Sequence, residues 1–171
     1  KGLEMKMKRT LLSTLVAAAC GLGAAAAQAQ ISDGVIKIGV MNDMSGLYAD
    51  VSGPGGLAAA KMAVEDFGAA AKGMKVEIVS ADHQNKPDVG STIARTWYDQ
   101  DKVDAIFDVP TSSVALAINQ LTKEKGKAFI NSGAATSDLT GKACSPNTVH
   151  WTYDTWMLAN GTGSAITKTG G

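Results

Sequence analysis

The chain has 171 residues with 16 basic and 16 acidic side chains, so its formal charge is zero, and 45% of its residues are hydrophobic. Without a basic surplus there is no electrostatic footprint for nucleic acid. Lys6-Met7-Lys8-Arg9, an apolar run over residues 11–27 and Ala27-Gln28-Ala29 follow one another in the order of a secretory signal peptide, with cleavage expected after Ala29. The run is too short and too rich in alanine for a membrane span. Residues 1–4 read as an extension of this leader. The alternative, a lipid anchor on Cys20, has only Ala17-Ala18-Ala19 before it and lacks the usual Leu three residues upstream. Beyond residue 29 the chain keeps 12 basic against 15 acidic side chains, a net charge of −3, and one cysteine, Cys144. An odd cysteine in an exported chain implies a free thiol or a missing disulfide partner. The remaining length of about 140 residues suffices for one domain with its own core.

Residues 35–41 alternate, are rich in β-branched side chains and predict a first strand. The loop after it runs through Tyr48 to Pro54 and leads into a helix whose apolar positions, Leu57, Ala60, Val64, Phe67 and Ala71, predict a face packed on a sheet. Residues 75–80 alternate again. Asp82-His83-Gln84-Asn85 reads as a surface turn, and Pro87 opens a helix with the stripe Val89, Ile93, Ala94 and Trp97. A third strand over 104–108, a helix over 114–124 closed by Gly126, and a fourth strand over 127–131 follow. A turn-rich connection then precedes a fifth strand over 148–153, and Asp154 caps a last helix carrying Trp156, Leu158, Ala159 and Ile166. Strictly alternating strands and helices predict an α/β fold, a Rossmann-like and mainly parallel sheet with helices on both faces. The last residues, Thr169-Gly170-Gly171, end a helix where the alternation calls for another strand, so the chain reads as truncated.

Residues 104–136 carry the functional signal. Two parallel strands joined by one crossover helix bring the loops at Thr111-Ser112-Ser113 and at Gly133-Ala134-Ala135-Thr136 to one carboxyl-terminal edge, where open α/β sheets hold ligands. Thr111, Ser112 and Ser113 also lie where a helix starts, so free N–H groups and the positive dipole end favour a carboxylate. One hydroxyl would suffice for a helix cap. Three in a row argue for ligand contact by at least one of them. His83 and His150, the two histidines, lack metal-ligand spacing. Trp97 fits its helix stripe and reads as core, whereas Trp151, Tyr153 and Trp156 read as packing or as lining of a cleft. Gly53, Gly55 and Gly56 do not form the fingerprint of a dinucleotide or phosphate loop, and there is no nucleophile elbow, so neither a cofactor nor a catalytic residue is expected.

Residues 35–40 with Met44-Ser45-Gly46, Gly56-Leu57-Ala58-Ala59-Ala60, Ala63-Val64-Glu65-Asp66, Asp82-His83-Gln84-Asn85-Lys86-Pro87, Thr111-Ser112-Ser113 and residues 132–140 together resemble the solute-binding proteins of branched-chain amino-acid ABC transporters, the type I periplasmic binding proteins. The resemblance follows the mature chain in order. It implies two Rossmann-like lobes that close on a ligand by a hinge motion, residues 30–152 forming the first lobe, incomplete, and residues 153–171 the start of the second. It further implies that Thr111, Ser112, Ser113, Gly133, Ala134, Ala135 and Thr136, with Tyr48 nearby, bind a small carboxylate such as an amino acid. A membrane permease of an ABC transporter would be the partner of a monomeric, periplasmic, non-enzymatic receptor without metal. A sensory domain of the same fold, reading an aromatic acid or amide and signalling to a partner, is the alternative.

Overall fold

The computed structural model describes residues 31 and 33–170. The expected leader over residues 1–29, with Cys20, lies outside the described residues. Five strands form one sheet: β1 (Ile36–Asn42), β2 (Val76–Asp82), β3 (Ala105–Asp108), β4 (Ala128–Asn131) and β5 (Thr148–His150). Their spatial order is β2-β1-β3-β4-β5, and every neighbouring pair is parallel. Parallel neighbours need crossovers. Three of these carry the helices α1 (Gly53–Phe67), α2 (Pro87–Asp99) and α3 (Ser112–Lys125), and a fourth helix, α4 (Thr155–Lys168), follows β5.

Local chemistry accounts for the helix ends. Pro54 and Pro87 occupy the first positions of α1 and α2, where a missing N–H costs nothing. Gly126 closes α3 at φ 63°, a left-handed conformation that glycine adopts without penalty. Asp154 caps α4 by accepting from the Met157 N–H at 2.7 Å.

The core lies between the sheet and the pair α2 and α3. Met41, Ile106 and Phe129 face it from the strands, Trp97 from α2 and Ile118 from α3, each at most 6% exposed. Trp97 lies directly on Gly39 of β1, where a Cβ would stand 2.5 Å from the ring's Cε3. The Tyr98 hydroxyl and Thr122 Oγ1 pair at 2.9 Å, and Thr122 in turn donates to the Ile118 carbonyl at 2.8 Å, which ties α2 to α3. Burial pushes the Tyr98 phenol above its ordinary range, so it stays protonated.

The opposite face is thinly covered. The helix stripe predicted to pack there reaches the sheet only in part, since Leu57, Ala60 and Val64 are half-buried while Phe67 is 50% exposed and Ala71 belongs to a separate 3₁₀ turn. Gly68, at φ 64°, ends α1 before that residue. Between α1 and the strands lies an apolar groove of about 530 Å³, lined among others by Ile38, Ile78 and Phe107. The fifth strand also departs from expectation, stopping at His150 rather than Tyr153, and no residue of α4 is buried. Among the described residues no helix is long and apolar enough to cross a membrane.

Candidate functional site

Strand order reverses between β1 and β3: from β1 the chain moves outward to β2, then returns and proceeds from β3 the other way. The carboxyl ends of β1 and β3 therefore flank the crevice where doubly wound sheets bind ligands. The helices that follow these two strands, α1 and α3, begin beside this crevice. Sequence reasoning found the loops after β3 and β4 but assigned the loop after β1 only through Tyr48.

The β1 loop is shaped by two carboxylates. Asp43, fully buried, accepts from the Gly46 N–H at 2.8 Å and from the Tyr48 N–H at 2.9 Å, and a Cβ on Gly46 would meet its Oδ1 at 2.6 Å. Asp82 ties this loop to β2, accepting from the Met44 and Gln84 N–H groups at 3.0 and 2.7 Å and from Ser45 Oγ at 2.6 Å. Partial desolvation of Asp82 is outweighed by these bonds, from Ser45 first, so its carboxyl sits below its ordinary value.

Alternation breaks at the end of β3. Phe107 lines the groove under α1, yet the next carboxylate turns to that side too: a Cβ on Gly56 of α1 would meet Asp108 Oδ2 and Asn42 Nδ2, each at 2.7 Å. The cause is backbone conformation, with Asp108 at φ 76° and Val109 at φ 60°. Such angles cost a non-glycine residue about 1–3 kcal/mol each. Asn131 of β4, opposite Asp108 in register, offsets this by donating from Nδ2 to the Asp108 and Val109 carbonyls at 2.8 and 2.9 Å. Ser132 Oγ donates to Asp108 Oδ1 at 2.9 Å. Burial pushes the Asp108 carboxyl above its ordinary value, against the pull of the bonds from Ser132 and Asn42 and of nearby His83.

The predicted site residues divide clearly. Thr111, 8% exposed, is the N-cap residue of α3 but does not cap it with its side chain, so the first-turn N–H groups of that helix are left for another acceptor. Ser112 is half-buried and Ser113 exposed on the same turn. Gly133 abuts Pro110, whose Cα would lie 2.8 Å from a Cβ placed there, which locks the β3 and β4 loops together. Ala134 is fully buried and its carbonyl meets His150 Nε2 at 2.6 Å, while the Ala135 carbonyl accepts from the Thr155 N–H at 2.7 Å. Thr136 accepts from the Asp138 N–H at 3.3 Å. Tyr48, half-buried, stands in the β1 loop.

Five buried side-chain polar atoms lack a hydrogen-bond partner among the described residues: Asn42 Oδ1, Ser52 Oγ, His83 Nε2, Thr111 Oγ1 and Asn131 Oδ1. All belong to carboxyl ends of strands or to the loops that leave them. Buried orphans are rare and mark strain, function or bound solvent. Asn42, Asp108 and Asn131, which floor this edge, were missed because each works through contacts far away in sequence.

His83 corrects the expected surface turn. It is fully buried, and its Cβ lies close to Gly90 of α2. Its Nδ1 accepts from the Asn85 N–H at 3.0 Å. Burial lowers its pKa below the ordinary 6.5, against the charges of Asp43, Asp82 and Asp108. The folded protein then takes up a proton at lower pH than the unfolded chain. The stability tied to neutral His83 is full above pH 6.5 and is lost as pH falls from there through the depressed folded value. His83→Asn, which keeps an acceptor for Asn85, is therefore expected to lose less stability than the wild type in urea titrations between about pH 7.5 and about pH 5. Equal losses would remove His83 from the acid response.

Among the described residues no cluster of three or more His, Cys, Asp or Glu can hold a metal. The periplasmic binding protein family model matches residues 35–171. A periplasmic binding protein from Burkholderia mallei is 51% identical with a TM-score of 0.78, covering 81% of this chain and 37% of its own. A branched chain amino acid ABC transporter periplasmic ligand-binding protein from Burkholderia xenovorans is 42% identical, TM-score 0.73, with 79% and 36% covered. An ABC transporter solute binding protein from R. palustris, in complex with 4-hydroxybenzoate, is 26% identical, TM-score 0.71, with 80% and 36% covered. No curated protein matches the chain.

Proposed function

Because the chain belongs to the periplasmic binding protein family, we propose that it forms the first lobe of a receptor that delivers a small carboxylate to a membrane ABC permease. The chain spans 37% of the length of the 51%-identical relative. In this proposal residues 30–152 supply one wall of a cleft, and residues from 153 onward begin a second lobe. The absence of any buried residue in α4 supports that division. The receptor is monomeric, periplasmic and non-enzymatic.

The observation that carries the proposal is the gathering of all five orphan polar atoms at one sheet edge, beside a helix N-terminus that no side chain caps. Free N–H groups at a positive dipole end bind a carboxylate without a fixed cation. Thr111, Ser112 and Ser113, with Gly133, Ala135, Thr136 and the Ala134 backbone, are the proposed contacts, and Tyr48 flanks them. An amino acid is the leading ligand, supported by the relative named for branched chain amino acids. The relative that holds 4-hydroxybenzoate keeps aromatic acids in the same test.

Calorimetry of the full-length protein against amino acids and hydroxybenzoates decides between them. Tight binding without turnover is expected, and formation of a product from any of them would end the receptor reading. Ser112→Ala combined with Ser113→Ala is expected to weaken binding more than ~10-fold, since charge-assisted hydrogen bonds contribute ~1.5–3 kcal/mol each. Unchanged affinity would take both hydroxyls out of the site.

A further inference from the structure

We infer that Asn131 is a positioning residue for ligand binding: its amide clamps the left-handed pair Asp108 and Val109 and thereby aims the start of α3 into the crevice. The inference rests on the proposed receptor function, yet its structural half can be tested without a ligand. A β-branched residue at φ 60° does not hold that conformation by itself, and two successive non-glycine residues at positive φ do so still less. Val109 is sealed in the core and its N–H still pairs with the Met41 carbonyl at 3.0 Å, so the sheet ladder runs up to the kink.

Beyond it the ladder no longer serves the Asp108 and Val109 carbonyls. Both are taken by the one Asn131 Nδ2, at 2.8 and 2.9 Å, from a side chain that is itself fully buried. Only Pro110 separates the kink from Thr111, the N-cap residue of α3. Since proline has a fixed φ, the direction chosen at Val109 passes on to the hydroxyl turn almost rigidly. The Asn131 amide donates to the Asp108 and Val109 carbonyls and acts on the proposed ligand-binding groups through this backbone.

The test uses the full-length protein and the variants Asn131→Ala, Val109→Gly and the two combined, with crystal structures and calorimetry against leucine and 4-hydroxybenzoate. In Asn131→Ala, Val109 is expected to leave positive φ, and affinity to fall at least ~10-fold, as for loss of a charge-assisted contact. Adding Val109→Gly is expected to restore most of that loss, because glycine keeps positive φ without a clamp. Asn131→Ser, which keeps one shorter donor, gives the same readout should the alanine variant fail to fold. Val109 still near φ 60° in the Asn131 variants overturns the clamp. A displaced Val109 with wild-type affinity, or no recovery on adding glycine, overturns its role in binding. If the wild type binds neither probe, the receptor reading fails for these ligands, while the conformation of Val109 still decides the clamp.

Discussion

Gly133→Val is expected to lower ligand affinity ~100-fold in calorimetry, the loss of two carboxylate contacts of ~1.5 kcal/mol each, while leaving the thermal midpoint nearly unchanged. An added Cβ would lie 2.8 Å from Pro110 Cα, 3.1 Å from Pro110 Cβ and 3.2 Å from Asp108 Oδ1. None of these is the yielding tip of a long side chain. The strain can be relieved only by parting the β3 and β4 loops. Binding groups must be held to within about 0.5 Å of productive geometry, so a parting of several tenths of an ångström disables contacts from both loops together. The double serine variant, by contrast, deletes groups from one loop and leaves its frame intact. Gly133 lies at the rim of the sheet and is not part of the buried cluster that holds Trp97 and Ile118, which is why folding should survive. Affinity within a few-fold of wild type would show that the two loops do not act as one binding unit.

Trp97→Ala is expected to cost ~3–5 kcal/mol of stability in denaturant titrations, the range for removing a large aromatic from a core. The indole is 6% exposed and fills the space over Gly39. The same contact predicts a coupling. Gly39→Ala forces its methyl into the ring and is expected to cost ~1–3 kcal/mol by overpacking. In the Trp97→Ala background that clash disappears, and Gly39→Ala becomes nearly neutral. Additive losses would mean that the two residues do not meet.

How much of this was legible in the sequence depends on the range of the forces involved. Alternation in residues 35–41 and the helix stripe through Trp97 revealed the elements because burial periodicity is local. Gly126, Pro87 and Asp154 marked helix ends through equally local backbone chemistry. The parallel order then placed Thr111 and Thr136 on one edge, as β3 and β4 do. The kink at Asp108 and Val109 was not legible, since a β-branched residue such as Val109 rarely adopts positive φ and its stabiliser, Asn131, is 22 residues beyond Val109. His83 was misplaced for a similar reason. A polar turn sequence predicts exposure, but the burial of His83 depends on other elements that pack around it, Gly90 of α2 among them. The fifth strand stopped short of Tyr153 because residue type alone does not say where pairing with β4 ends, whereas α4 and its Asp154 cap formed as expected.

The three tryptophans also divide the molecule optically. Trp97 is sealed against the sheet at 6% exposed, whereas Trp151 and Trp156 stand 76% and 66% exposed next to the segment where Thr155 joins the β4 loop. Blue-shifted emission belongs to the folded interior, and red-shifted, iodide-accessible emission to the rim. One fluorescence spectrum therefore carries two separable signals: unfolding of the core, and whatever closes over the edge that ends in β5.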